Sequence, residues 1–191
     1  MGEQPWTDIV ARANAAARQP VLFIPEQTKP QAWEGWANVF EKAGYAALTP
    51  SWPSAAEPAP ETINRLIGRF AEIAQALNSR PAIIGHGLGG LITQVLAGKG
   101  VSAAAVVIAP LQGASRAHTP SVRRGPLLIL TGNQDHTVPL SAARAVFEQQ
   151  RRNSDAVSEF TAFAGRGHTL TTDTGWPEVA EIALRFVQRF V

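Results

Sequence analysis

Hydrophobic residues recur along this chain in two alternating kinds of run. Short continuous apolar runs are typical of strands buried on both faces of a sheet, and between them lie segments with apolar residues at helical spacing. The predicted strands cover 21–24, 45–48, 103–109, 126–131 and 158–163, with a further strand starting at residue 81. The predicted helices cover 7–18, 31–43, 61–77, 88–97, 141–151 and 176–190.

Alternating strands and helices predict parallel strands joined by right-handed crossovers. The expected fold is therefore α/β, a three-layer sandwich with a mostly parallel sheet of about six strands. The chain has 191 residues, which is the size of one domain. It shows no internal repeat, low-complexity tract or linker, so we expect a single domain over 1–191.

Composition narrows the classes of partner. The chain has 17 Lys and Arg against 15 Asp and Glu, and because the basic residues are scattered, no nucleic-acid partner is expected. No cysteine is present, which excludes disulfides and thiolate chemistry. No apolar run is long enough to span a membrane, and polar residues interrupt the first twenty positions. No membrane partner and a cytoplasmic location are the expectations.

The strand that starts at residue 81 runs into a glycine-rich corner and then a helix, in PAIIGHGLGGLI. Small residues two places before and after an apex allow a sharp turn that presents one side chain above the sheet, as in a nucleophile elbow. Gly85 and Gly89 hold the flanking places, so the apex is Gly87, which has no side chain. The glycines lack the spacing and the Lys-Ser/Thr ending of a phosphate loop, so no nucleotide cofactor is expected.

Ligands of parallel sheets bind at the carboxyl ends of the strands, and two polar residues there form a recognisable pair. Asp135 follows the fifth strand and His168 follows the sixth. Strands that end at the same edge would let the aspartate orient the imidazole and stabilise its protonated form. The four histidines show no paired spacing of the H-x-x-x-H kind, so the sequence predicts no metal site.

With elbow, acid and histidine in this order, the chain resembles an α/β-hydrolase over nearly all its length. It is similar to a bacterial group with a Trp-rich early helix and a motif like GRGHTLT at 165–171. The resemblance implies a hydrolase of the carboxylic-ester type without a cofactor. His168 and Asp135 would be catalytic, and Gly87 stands where the family has its nucleophilic serine. The backbone N–H groups of Leu88 and Glu26 would form the oxyanion hole.

The same resemblance raises expectations for the surroundings of the site. Relatives insert a helical cap between the fourth and fifth strands, for which 109–126 is too short, so a fold without a cap domain is expected. Trp52 and Leu111 would either line the substrate pocket or cover the sheet edge. His86 would be a structural ring hydrogen-bonded beneath the turn, with a substrate contact as the alternative.

Three further polar side chains are predicted to be exposed to solvent. The carboxylate of Glu26 is expected to be solvated on its loop, and an acid or base at the rim of the site is the alternative. His118 and His136 are expected to be exposed loop residues. None of the three is predicted to hold a metal.

Three functions remain open for a chain with these residues. The first is a protein of ester-hydrolase descent that keeps Asp135 and His168 without the serine, with esterase activity near background. The second is an enzyme that needs no nucleophile, such as a lyase, cyclase or water-activating hydrolase, with His168 as general base. The third is a non-catalytic binding protein. The missing cap favours an open site for small-molecule or polymeric ester-like substrates.

Overall fold

The computed structural model describes residues 6–26, 33–50, 60–111 and 124–191. Six strands form one sheet in the order β2-β1-β3-β4-β5-β6, and every neighbouring pair is parallel. The strands are β1 Pro20–Ile24, β2 Ala46–Leu48, β3 Ala82–His86, β4 Ala104–Ile108, β5 Leu127–Gly132 and β6 Ser158–Phe163. The predicted parallel sheet is therefore confirmed.

Helices cover both faces of the sheet, which makes the predicted three layers. They are α1 Trp6–Ala15, α2 Glu34–Lys42, α3 Pro60–Gln75, α4 Leu88–Gly98, α5 Leu140–Arg152 and α6 Trp176–Gln188. Helix α1 ends three residues before the predicted residue 18, because Ala17 has a φ of 50°, outside the helical region. No helix in the described part of the chain is long and apolar enough to cross a membrane.

The core lies on both sides of the central strands. All residues of β1, β3, β4 and β5 are buried, whereas most of the edge strand β6 is only half-buried. On one face the sheet packs against α2 and α6, with Trp36 and Phe40 fully buried. On the other face α1, α3 and α4 pack around Phe70. In the ranges that the structure describes, no cap domain covers the carboxyl edge of the sheet.

The corner between β3 and α4 is tight because glycine lets backbones approach closely. A Cβ on Gly85 would lie 2.5 Å from the carbonyl carbon of Gly89, and one on Gly89 would lie 2.7 Å from that of Ile24. Real Cβ atoms do not approach so closely, so both positions need glycine. The contact with Ile24 sets the end of β1 directly beside the elbow, and this places the next residues, Pro25 and Glu26, at its apex.

Candidate functional site

Asp135 and His168 meet at the carboxyl edge of the sheet. The Oδ1 atom of buried Asp135 accepts hydrogen bonds from the backbone N–H groups of Thr137 and Val138, each at 2.8 Å. These bonds fix the carboxylate, and its Oδ2 atom lies 2.8 Å from Nδ1 of His168. The structure thus brings together the two residues that the sequence predicted as a pair, across the ends of the adjacent strands β5 and β6.

The apex of the elbow is filled by the side chain of Glu26. Gly87 has φ 57° and ψ −116°, a left-handed conformation that costs a residue with a Cβ on the order of 1–3 kcal/mol. A Cβ on Gly87 would lie 2.5 Å from Cδ of Glu26 and 2.7 Å from its Cγ, with Oε1 closer still. The Glu26 carboxylate therefore occupies the volume in which a side chain of residue 87 would begin.

The expectation that Glu26 is solvated is wrong. Its side chain is 28% exposed, and Oε1 lies 2.9 Å from Nε2 of His168. Two features explain the inward position: glycine at the apex leaves room for a carboxylate, and the imidazole offers it an N–H donor. From the sequence, the backbone N–H of Glu26 is expected to be an oxyanion donor. In the structure its side chain also enters the site.

His168 lies between two carboxylates and is charged at neutral pH. Ionised carboxylates only accept hydrogen bonds, so both ring nitrogens donate, Nδ1 to Asp135 and Nε2 to Glu26. The bond with Glu26 is the largest cause that raises the pKa of His168 to about 9, while burial opposes the rise. The same bond lowers the pKa of Glu26. An imidazolium with both N–H groups engaged has no lone pair with which to accept a proton.

His86, the last residue of β3, lies against both His168 and Glu26. Its ring lies beside that of His168, with centroids 4.8 Å apart, and its Nε2 is 2.9 Å from the backbone oxygen of His168. Because that oxygen can only accept, Nε2 carries the proton. Burial lowers the pKa of His86, which favours the neutral ring. The ring is hydrogen-bonded beneath the turn, as expected, and its Nδ1 faces Oε2 of Glu26 at 3.6 Å.

Of the other predicted residues, two lie at the elbow, one is exposed, and two fall outside the described residues. Leu88 begins α4, so its N–H has no acceptor within the helix and stays the predicted oxyanion donor. Half-buried Leu111 adjoins the elbow, because its N–H bonds the Gly87 oxygen at 3.3 Å. Trp52 and His118 lie outside the described residues, and His136 is exposed, as expected.

Sequence reasoning missed how Glu26 and His86 act together with His168. Their ligand atoms all lie within 4.8 Å of one another, and the set could hold a metal ion. The available signal was positional: Glu26 follows β1, which neighbours β3 in the sheet, and a glycine apex leaves volume for a neighbouring side chain.

Comparison with solved structures identifies the same fold. A monoacylglycerol lipase from Paleococcus ferrophilus matches with a TM-score of 0.76 at 14% identity, covering 90% of this chain and 95% of that one. Thermogutta terrifontis esterase 2 matches with a TM-score of 0.72 at 16% identity, covering 90% and 83%. Arabidopsis thaliana SOBER1 matches with a TM-score of 0.67 at 18% identity, covering 90% and 100%.

Comparison at the level of sequence places the chain more closely. No curated protein matches it. The model of the dienelactone hydrolase family, however, matches residues 30–191, which is most of the chain. The matched range includes Gly87, Asp135 and His168, and it begins after Glu26. The α/β-hydrolase fold inferred from the motifs is confirmed, and the chain belongs to the dienelactone hydrolase family.

Proposed function

We propose that this protein is a hydrolase of ester-hydrolase descent in which the covalent, serine-type route is closed. The observation that supports this most directly is the position of Glu26, whose carboxylate fills the volume at Gly87 and bonds Nε2 of His168. That nitrogen would otherwise receive the proton of an attacking hydroxyl. Esterase activity that depends on a nucleophile at position 87 is therefore expected at background.

The charge of Glu26 also opposes ester hydrolysis by the remaining groups. Well-studied serine hydrolases that have lost their nucleophile still accelerate the reaction about 10³- to 10⁴-fold over water, through substrate binding and the oxyanion hole. Here a carboxylate lies beside the place where the oxyanion would form, and repulsion would reduce that residual effect.

The second hypothesis, direct general-base catalysis by His168, is less well supported. A base needs a free lone pair within reach of the substrate proton, but both nitrogens of His168 are engaged by carboxylates. Such an enzyme would first have to move Glu26 away. The third hypothesis, a binding protein, would show stabilisation by a ligand without any product.

The test restores the nucleophile with and without the obstructing carboxylate. Wild type, Gly87→Ser, Glu26→Ala and the double variant Gly87→Ser/Glu26→Ala are compared on a short-chain p-nitrophenyl ester and with a fluorophosphonate label. A metal chelator is present throughout. We expect the double variant to exceed wild type by about 100-fold or more in kcat/KM and to be labelled at position 87, with the single variant Gly87→Ser well below it.

Adding His168→Ala to the double variant should remove the gain, because the introduced hydroxyl then lacks its base. Circular dichroism and thermal unfolding confirm that each variant is folded. The proposal is overturned if wild type itself hydrolyses the ester at the rate of the double variant, or if the folded double variant shows no gain and no labelling.

A further inference from the structure

Two atoms that can only accept a hydrogen bond face each other at the elbow, one on His86 and one on Glu26. His86 uses Nε2 as its donor, so its Nδ1 presents a lone pair to Oε2 of Glu26 at 3.6 Å. This distance is too long for a hydrogen bond, and a neutral imidazole nitrogen gains nothing from facing a carboxylate oxygen across it. A cation between the two atoms would satisfy both.

The third group of the cluster has the matching orientation. Asp135 holds His168 by Nδ1, which leaves Nε2 directed at Glu26. Histidines that bind metals typically donate their other N–H to a carboxylate or a backbone carbonyl, which fixes the ring and its tautomer. Both arrangements are present here, the carboxylate behind His168 and the carbonyl behind His86.

We propose that Glu26, His86 and His168 form a binding site for one divalent transition-metal ion, with Zn²⁺ as the best match. Two imidazole nitrogens select against Mg²⁺ and Ca²⁺, which prefer oxygen ligands, and two histidines with one glutamate are a known ligand set of catalytic zinc. The histidines are 82 residues apart. Spacing along the chain, on which the sequence-based expectation of no metal relied, therefore could not reveal the site.

The ligand atoms would have to move relative to one another by between a few tenths of an ångström and about 1.5 Å. Zn²⁺ bonds of about 2.0–2.1 Å in a tetrahedron place neighbouring ligand atoms roughly 3.3 Å apart. Oε1 of Glu26, 2.9 Å from Nε2 of His168, would move away by a few tenths of an ångström, and Oε2, 3.6 Å from Nδ1 of His86, would approach by as much. The ligand atoms lie within 4.8 Å of one another, so the widest separation would close by up to about 1.5 Å. The proton between Glu26 and His168 would leave, as protons do when metals bind.

A metal ion at this site would also supply a nucleophile, which the elbow lacks. Three protein ligands leave the fourth position of a tetrahedral zinc open to water, whose pKa falls to about 7 when it is bound. Attack of that hydroxide on an ester carbonyl, with loss of the alkoxide, would need no residue at position 87. This catalytic consequence rests on the proposed function, whereas the binding site itself does not.

Metal binding is tested on the whole chain without reference to activity. Metal-free protein is titrated with Zn²⁺ in competition with a chromophoric chelator, and with Co²⁺ to record the visible bands of tetrahedral coordination. We expect one equivalent of Zn²⁺ and strong Co²⁺ bands. Glu26→Gln should weaken binding by about 100-fold or more, and Asp135→Asn, which alters only the support behind His168, by about 10–100-fold.

His136→Gln is the matched control, since His136 is exposed on the loop beside Asp135, and its affinity should equal that of wild type. The proposal is overturned if wild type binds no stoichiometric Zn²⁺, or if folded Glu26→Gln binds as tightly as His136→Gln. Because the ester assays above contain a chelator, failure of the proposed function and failure of this site are seen separately.

Discussion

At the scale of single residues, the hydrogen bond between Glu26 and His168 explains why the imidazole is protonated and has no free nitrogen. The sequence predicted Asp135 and His168 because each follows a strand, and strand ends are easy to recognise. Glu26 also follows a strand, but the inward position of its side chain could not be predicted, since it depends on free volume far along the chain, at Gly87. A loop carboxylate is ordinarily solvated, and it is the N–H donor of the neighbouring imidazole that makes the half-buried position favourable.

This pair gives the folding stability of metal-free protein a defined pH dependence. The pKa of His168 is raised to about 9, so its contribution is complete below its unfolded value of about 6.5 and is lost as pH rises through about 9. The pKa of Glu26 is lowered, so its contribution is present above about 4.5 and is lost as pH falls through the lowered value.

Urea unfolding in chelator should therefore show that wild type loses stability between about pH 6 and pH 9.5. Glu26→Gln keeps a hydrogen-bond acceptor but no charge, so its loss over the same interval should be smaller. Superimposable pH profiles for the two proteins would show that Glu26 does not bond His168.

At the scale of elements, periodicity located each of the six strands and six helices found in the described ranges, with boundaries shifted by a few residues. The apolar runs sufficed because strands covered on both faces are hydrophobic throughout. The elbow was recognisable for a different reason. Its glycines are required by contacts between backbones, and Gly89 is the one that sets α4 against the end of β1.

Replacing this glycine should be costly. In Gly89→Ala the new methyl would meet the backbone of Ile24, which cannot yield as a flexible side chain does, and overpacking of this kind costs about 1–3 kcal/mol. Gly68→Ala is the matched control, because Gly68 lies within α3 with nothing within 4 Å of its added Cβ. Helix propensity predicts a gain of up to about 1 kcal/mol there. Equal unfolding free energies for the two variants, measured in urea, would contradict the account.

At the scale of the whole molecule, the sheet order decides which residues meet. Strands β1, β3, β4, β5 and β6 follow one another in the sheet, so residues after β1, β3, β5 and β6 converge on one edge. The fold class and the edge could be inferred from alternating elements and from the rule that ligands bind at carboxyl ends. The contacts among Glu26, His86 and His168 could not, because they depend on loop paths that no periodicity encodes.

The proposed state of the site depends on the hydrogen bond between Glu26 and His168, and the ring nitrogens of His168 report that bond directly. Long-range ¹H–¹⁵N NMR of the imidazole, recorded on metal-free wild type and on Glu26→Gln, gives the protonation of both nitrogens across pH. In wild type we expect both to be protonated at neutral pH, with a pKa of about 9, and in Glu26→Gln a pKa nearer the ordinary value of about 6.5. A wild-type ring that titrates near that ordinary value, unchanged by Glu26→Gln, would show that the Glu26 carboxylate does not bond His168.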